Sequence, residues 1–81
     1  MSAPDIRFKK FDVRRLLAKG IEPLSEIRKR IDGLAPNEGL TLVAPFLPSP
    51  LIERLADEGF SSRVEHQPDG AWVVHFWRDA A

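Results

Sequence analysis

Hydrophobic and charged residues alternate near the start of the chain. Within the segment Phe8–Arg14, Phe11 and Val13 alternate with Lys10, Asp12 and Arg14. A period of two is typical of a strand with one buried face, so we predict the first strand here. Four apolar residues then recur at spacings of three, four and three: Leu24, Ile27, Ile31 and Leu34. This spacing predicts a helix with one apolar face. We expect it to begin at Pro23, because the first helical position needs no N–H.

A second strand and a second helix follow. The segment Leu40–Ala44 is almost wholly apolar, which is typical of a strand buried on both faces of a sheet. Ser49 is predicted to cap the second helix, with Pro50 at its first position. Leu51, Ile52 and Leu55 would then form its buried face. Gly59 is expected to end this helix at its carboxyl terminus.

The last part of the chain predicts a hairpin. Strands over Phe60–Gln67 and Ala71–Arg78 flank the turn Pro68-Asp69-Gly70, in which Gly70 can take a positive φ. Three alternate residues of the last strand should face the helices: Trp72, Val74 and Phe76. Three others should lie on the open side of the sheet: Val73, His75 and Trp77. They are candidates for an interface, and the alternative is that Trp77 only caps the sheet edge. Apolar surface clustered on an open face often marks an interaction site.

The element order β-α-β-α-β-β predicts an α/β (α+β) two-layer sandwich. The first two strands should be parallel, since a helix connects them, and both helices should cover one face of a four-stranded mixed sheet. A chain of 81 residues has room for one domain. We expect a flexible tail over residues 1–7, the domain over residues 8–78 and a short tail over residues 79–81.

Composition excludes several kinds of chemistry. The chain has no cysteine, and so no disulfide, thiol nucleophile or sulfur-based zinc site. The segment after Met1 has no apolar run of the kind that signal peptides carry, and we expect a cytoplasmic protein without membrane contact. Residues 1–33 carry nine Lys and Arg against five Asp and Glu, whereas residues 34–81 carry three against seven. This modest asymmetry favours solvated surface charge over nucleic-acid binding.

Five short segments together resemble a known family: Phe11-Asp12-Val13-Arg14, Gly20-Ile21-Glu22-Pro23-Leu24, Leu40-Thr41-Leu42-Val43-Ala44-Pro45-Phe46, Gly59-Phe60 and Gly70-Ala71-Trp72. The chain resembles the DUF2249 family, which is similar to the TusA/SirA-like sulfur carriers. The resemblance implies a sheet whose last strand is central and antiparallel. It also implies a Cys-Pro pair at the start of the first helix, where this chain has Glu22-Pro23. A carboxylate cannot hold a persulfide, so sulfur transfer on a thiol is not expected of this protein.

The predicted site lies at the carboxyl edge of the parallel strands. Glu22 and Pro23 should face Phe46 and Ser49 there, because ligands of open α/β sheets prefer this crevice and two helix N-termini would converge on it. Two arginines after the first strand are candidates to border the same edge and recognise a phosphate or carboxylate: Arg14 and Arg15. The alternative is that they are solvated or form salt bridges. The alternative is that Glu22 only satisfies N–H groups at its helix end.

These residues favour a non-catalytic binding module that docks a partner protein or a small ligand, without cofactor or metal. An enzyme with Glu22 as base or metal ligand is the first alternative. The second alternative is a weak RNA-binding domain, although a nucleic acid is a less expected partner than a protein or a small ligand. The cations that would contact the phosphates are Lys9, Lys10, Arg14, Arg15, Arg28, Lys29 and Arg30. His66 and His75 would be neighbours across the hairpin and could hold a metal together with Glu65, although no dense ligand spacing favours such a site. The open face would also allow a weak homodimer.

Overall fold

The computed structural model describes residues 6–78. Within them the chain forms four strands and three helices: β1 (Arg7–Asp12), α1 (Arg14–Ala18), α2 (Leu24–Asp32), β2 (Glu38–Ala44), α3 (Ser49–Asp57), β3 (Phe60–His66) and β4 (Trp72–Arg78). The predicted tail over residues 79–81 and most of the predicted tail over residues 1–7 lie outside the described range. Arg7, which was assigned to that tail, already belongs to β1.

The four strands form one mixed sheet in the order β1-β2-β4-β3. β1 runs parallel to β2, with Phe11 opposite Leu42. β4 runs antiparallel to both of its neighbours, β2 and β3. The last strand is therefore central, and the predicted α+β fold with a four-stranded mixed sheet is confirmed.

Helices α2 and α3 cover one face of this sheet, and the core lies between the two layers. The sheet contributes six buried residues to it: Leu40, Leu42, Ala44, Phe60, Val74 and Phe76. Ile27 and Ile31 come from α2, and Leu55 comes from α3. Burial of these apolar side chains supplies the main stabilising free energy, since removing apolar surface from water is favourable in proportion to its area. The predicted inward side of β4 is confirmed at Val74 and Phe76, which are fully buried.

The short helix α1 was not predicted. Arg14, expected at the end of the first strand, instead begins α1. The reason is local, because an Oδ1 atom of Asp12 accepts a hydrogen bond from the backbone N–H of Arg14 at 3.0 Å. Aspartate commonly turns the chain in this way, and here it ends β1 at Asp12.

The two longer helices begin one residue away from their predicted starts. Pro23 is the residue before α2, which begins at Leu24. The prediction that Ser49 caps the following helix is wrong, since Ser49 is the first residue of α3 and makes no capping bond with its side chain. Its backbone N–H donates to the carbonyl of Leu47 at 2.9 Å. The backbone turn before α3 therefore satisfies this N–H without a side-chain cap.

The predicted hairpin turn is confirmed. Gly70 has a φ of 92°, and its N–H donates to the carbonyl of Gln67 at 3.0 Å. Gly59 has a φ of 91° just after α3, in the conformation that ends many helices. None of the described helices is long and apolar enough to cross a membrane.

Candidate functional site

Two adjoining cavities, of about 280 and 260 Å³, lie at the surface between α2 and α3. Four lining residues belong to both: Glu22, Leu24, Ile27 and Leu51. We call the combined depression the α2–α3 groove. Pro23 and Phe46 line its one end, together with Glu22. The structure thus brings these three predicted site residues together at the start of α2.

The lining of the groove is mainly apolar. Ile27, Ile31 and Leu55 are buried at its base. On its rim, Leu24 keeps 48% of its surface exposed and Phe46 keeps 52%. Large apolar side chains clustered at the surface are unusual in a protein that acts alone and often mark an interaction site.

Glu22 caps its own helix. One carboxylate oxygen accepts the backbone N–H of Leu24 at 2.5 Å. The other accepts the N–H of Ser25 at 3.4 Å and its hydroxyl at 3.3 Å. The first N–H groups of a helix have no acceptor within the helix, and here the carboxylate of Glu22 provides the acceptor oxygens. An anionic ligand at this helix end would therefore have to displace a carboxylate that is already bound.

Arg14 lies elsewhere. Its Nε and Nη2 atoms bind the two carboxylate oxygens of Asp12, with an Nη2–Oδ2 distance of 2.6 Å. These side-chain hydrogen bonds hold the pKa of Asp12 below its ordinary value. Arg14 lines a separate depression on the other side of the sheet, beside Lys10 and Thr41. The expected grouping of Arg14 with Glu22 is thus not found in either cavity of the groove.

The other two predicted residues also lie apart from the groove lining. Arg15 is exposed on α1, and Ser49 is exposed at the start of α3. Neither side chain lines the two groove cavities. The site residues that converge are those next to the start of α2 and the loop after β2.

Two arginines stand at the other end of the groove, and they differ in their partners. Arg28 contacts Asp32 at 3.3 Å and Glu58 at 2.6 Å. Its hydrogen bond lowers the pKa of Glu58. Arg54 also lines the groove, yet within residues 6–78 it makes no ion pair or hydrogen bond through its side chain. Arg54 is therefore a cation available to a bound molecule.

The open face of the sheet is better covered than the sequence indicates. Phe8 packs edge-on against His75 and Trp77, with ring centroids 5.4 and 6.2 Å apart. Thr41 contacts Nδ1 of His75 at 2.9 Å, and Glu65 contacts Nε2 at 2.8 Å. The predicted interface residues Val73, His75 and Trp77 are accordingly half-buried. Sequence reasoning missed Phe8, although it alternates in step with Lys10 and so belongs to this face.

The two histidines do not form a common site. His66 lies on the helix side of the sheet and stacks on Trp72, with ring centroids 4.0 Å apart. His75 lies on the opposite side, next to Glu65. The expectation that the two imidazoles are neighbours is wrong, because positions 66 and 75 have opposite orientations in the pleat. Across residues 6–78, no three His, Cys, Asp or Glu side chains are grouped as metal ligands.

The seven cations considered for RNA binding do not form one face. Four make ion pairs: Lys9, Arg14, Arg28 and Lys29. Arg30 lies over the ring of Phe11, 3.9 Å from its centroid. Lys9 and Lys10 are adjacent in β1 and hence point to opposite sides of the sheet.

Comparison with known proteins adds one finding to this geometry. A family model described as "Uncharacterized conserved protein (DUF2249)" matches residues 10–78. The chain belongs to the DUF2249 family. The matched range begins within β1, covers the rest of the described fold through β4 and includes every residue that lines the α2–α3 groove. No curated protein and no solved structure matches the chain.

Proposed function

We propose that this DUF2249 protein is a non-catalytic binding module that docks a partner protein in the α2–α3 groove. The observation that carries the proposal is the apolar groove with two half-exposed side chains, Leu24 and Phe46, on its rim. Covering these side chains would stabilise the complex by about 25 cal/mol for each Å² of apolar surface removed from water. The cytoplasmic location expected from the sequence is part of the same proposal.

The groove favours an apolar segment that carries an acidic residue. Its base and rim offer aliphatic and aromatic contacts, and Arg54 offers a cation without an ion-pair partner in residues 6–78. Arg28 is less suited to a ligand, since Asp32 and Glu58 already bind it. An acidic side chain opposite Arg54 would fix the orientation of the segment, as complementary charges do at interfaces.

The contacts of Glu22 favour a binding role over a catalytic one. A general base must reach the proton that it removes, and a metal ligand must have free lone pairs. Both carboxylate oxygens of Glu22 accept hydrogen bonds from the start of α2. Among the described residues 6–78, no other carboxylate lines the groove, and Ser25 is the one hydroxyl in its lining. This arrangement supports the use of Glu22 as a helix cap beside the partner.

We infer that this protein shares fold ancestry with the TusA/SirA-like carriers but not their sulfur chemistry. A sulfur carrier needs a thiolate that can hold a persulfide, and the chain has no cysteine at any position. Glu22-Pro23 stands where that likeness would require Cys-Pro. We therefore infer that any shared role lies in docking partner proteins and not in carrying sulfur.

Affinity capture followed by titration tests the proposal. Wild-type protein and a Leu24→Ser variant would be immobilised and exposed to the same lysate, and the retained protein would be purified. Its affinity would then be measured for wild type, Phe46→Ser and Arg54→Glu by calorimetry. We expect each variant to bind at least about tenfold more weakly, since a few large apolar and arginine side chains usually carry most of the binding energy.

Leu47→Ser is the matched control. Leu47 neighbours Phe46 and is 40% exposed, yet it does not line the groove. The control should bind like wild type. Equal losses for Leu47→Ser and Phe46→Ser, or unchanged binding in Leu24→Ser, would contradict docking in the groove.

A further inference from the structure

Strand β3 is an unprotected edge of the sheet. It is the outermost strand beside β4, and residues 62–66 are exposed. Its sequence, from Phe60 to His66, contains no proline and no glycine. Edge strands expose backbone N–H and C=O groups that can pair with another strand, and proteins usually block this with proline, bulges or like charges.

The opposite edge is protected in that way. β1 carries three cations within six residues: Arg7, Lys9 and Lys10. A second copy of β1 would bring these positive charges together. β3 instead carries charges of opposite sign two residues apart, at Arg63 and Glu65. The charge pattern thus opposes self-pairing at β1 and favours it at β3.

The hairpin determines which backbone groups of β3 face outwards. The N–H of Gln67 donates to the carbonyl of Ala71 at 2.8 Å, so the backbone N–H of Gln67 points towards the β4 side of the hairpin. This direction alternates along an antiparallel ladder, and Glu65 and Arg63 therefore bond to β4. Three residues between and beside them direct their N–H and C=O groups away from the sheet: Ser62, Val64 and His66.

We propose that two copies of the chain pair through β3 in an antiparallel dimer centred on Val64. In this register Val64 faces Val64 of the second copy, and Ser62 faces its His66. Three backbone pairs then exchange about six hydrogen bonds across the two-fold axis and join the two sheets. Val64, 41% exposed in one chain, is buried against its counterpart.

The charges select this register. Arg63 lies directly opposite Glu65 of the second copy, on the open side of both sheets. Within residues 6–78, Arg63 makes no ion pair, and only the Oε2 atom of Glu65 is bonded. A shift of two residues in one direction places Arg63 opposite Arg63, and a shift in the other places Glu65 opposite Glu65. Like charges directly opposite each other destabilise a strand pair. A shift of one residue would place residues with outward-pointing backbone groups opposite residues whose backbone groups already bond to β4.

This dimer is independent of the proposed function. Val64, Arg63 and Glu65 do not line the α2–α3 groove. Failure of one proposal therefore leaves the other standing, and the variants of each can be measured separately.

A proline at position 64 tests the pairing. Proline removes the outward N–H of Val64 but no bond to β4, so the variant should fold, as circular dichroism would verify. We expect sedimentation equilibrium to show a wild-type dimer and a dissociation constant raised at least about tenfold in Val64→Pro, because its two central bonds are lost. The control Val64→Thr keeps the N–H and the branched shape and should dimerise like wild type.

Cysteine cross-linking tests the register, and the native chain has no cysteine to interfere. Val64→Cys should form a disulfide dimer under mild oxidation, because opposite residues of a hydrogen-bonded pair have Cα atoms about 5.5 Å apart. Ser62→Cys should not, since its two copies would be four residues out of step, roughly 13 Å. A wild type that is monomeric at about 1 mM would overturn the dimer. So would equal cross-linking of both variants, or a folded Val64→Pro that dimerises like wild type.

Discussion

Phe8 occupies the space that a side chain at position 39 would need. A Cβ atom added to Gly39 would lie 2.6 Å from Cε1 of Phe8 and 2.6 Å from the carbonyl oxygen of Phe76. Gly39 and Phe8 are direct partners in the pairing of β1 with β2. The absence of a side chain in β2 is thus what lets the ring lie over the sheet and reach His75 and Trp77.

Gly39→Ala should destabilise the protein by about 1–3 kcal/mol, the usual cost of forcing extra volume into a packed site. Urea unfolding would measure the change. Gly33→Ala is the control, because its Cβ would meet its nearest neighbour at 3.4 Å, an ordinary contact. A similar loss in both variants would contradict a specific clash with Phe8.

Glu22→Ala should lower the free energy of unfolding by about 0.5–2 kcal/mol, the range for loss of a helix cap. The reason is the loss of the bonds to Leu24 and Ser25. Glu22→Gln should lose less, since an amide oxygen still accepts a hydrogen bond. Glu53→Ala serves as control, because Glu53 is exposed on α3 and none of residues 6–78 pairs with it. An unchanged stability in Glu22→Ala would show that these bonds contribute nothing.

Stability should depend on pH through Glu58. Its pKa lies below the ordinary value of 4.5, chiefly because Arg28 donates a hydrogen bond to the carboxylate. The unfolded chain therefore takes up the proton first as the pH falls, and stability decreases. This contribution is complete above pH 4.5 and is lost as the pH falls through the lowered pKa.

Glu58→Gln should accordingly show a smaller fall in unfolding free energy between about pH 6 and about pH 3 than wild type. Thermal and urea unfolding at several pH values would record it. Glu53→Gln removes an exposed carboxylate that has no ion pair in residues 6–78, and it serves as the control. If the two variants show the same fall, the contact between Glu58 and Arg28 does not stabilise the folded state.

Neutral His75 should carry its hydrogen on Nε2. The carboxylate of Glu65 can only accept a hydrogen bond, and it contacts this nitrogen at 2.8 Å. Nδ1 then accepts from the hydroxyl of Thr41. Long-range nitrogen NMR of the neutral ring identifies the tautomer. A dominant Nδ1–H form would contradict the arrangement.

Thr41→Val should lower the free energy of unfolding by roughly 0.5–1.5 kcal/mol, because it removes the hydroxyl that donates to His75.

Most of the fold follows from patterns that act locally. Burial is predicted directly by the spacing of Ile27 and Ile31 and by the apolar run of β2. Gly70 predicts its turn because glycine readily takes the positive φ that the turn requires. The start of α1 did not follow, because it depends on one side-chain bond from Asp12 that competes with continuing the strand.

The candidate site was only partly predictable. Parallel strands bring Glu22 and Phe46 to one edge, and topology alone is enough to infer this. The partners of a charged side chain are set by distances that no pattern in the sequence records. Arg14 therefore binds Asp12, which the sequence pattern did not predict. Arg54 lines the groove, although the pattern did not identify it as a site residue.

The cover over the open face has a dynamic consequence. Phe8 belongs to β1, which pairs with a single neighbour, β2, and is joined to it through a parallel connection. Edge strands that pair on one side only are among the first elements to open in local unfolding. Each such opening would lift the ring from His75 and Trp77 together. Solvent access to these two side chains is thus set by how often one outer strand detaches, while the core beneath stays folded.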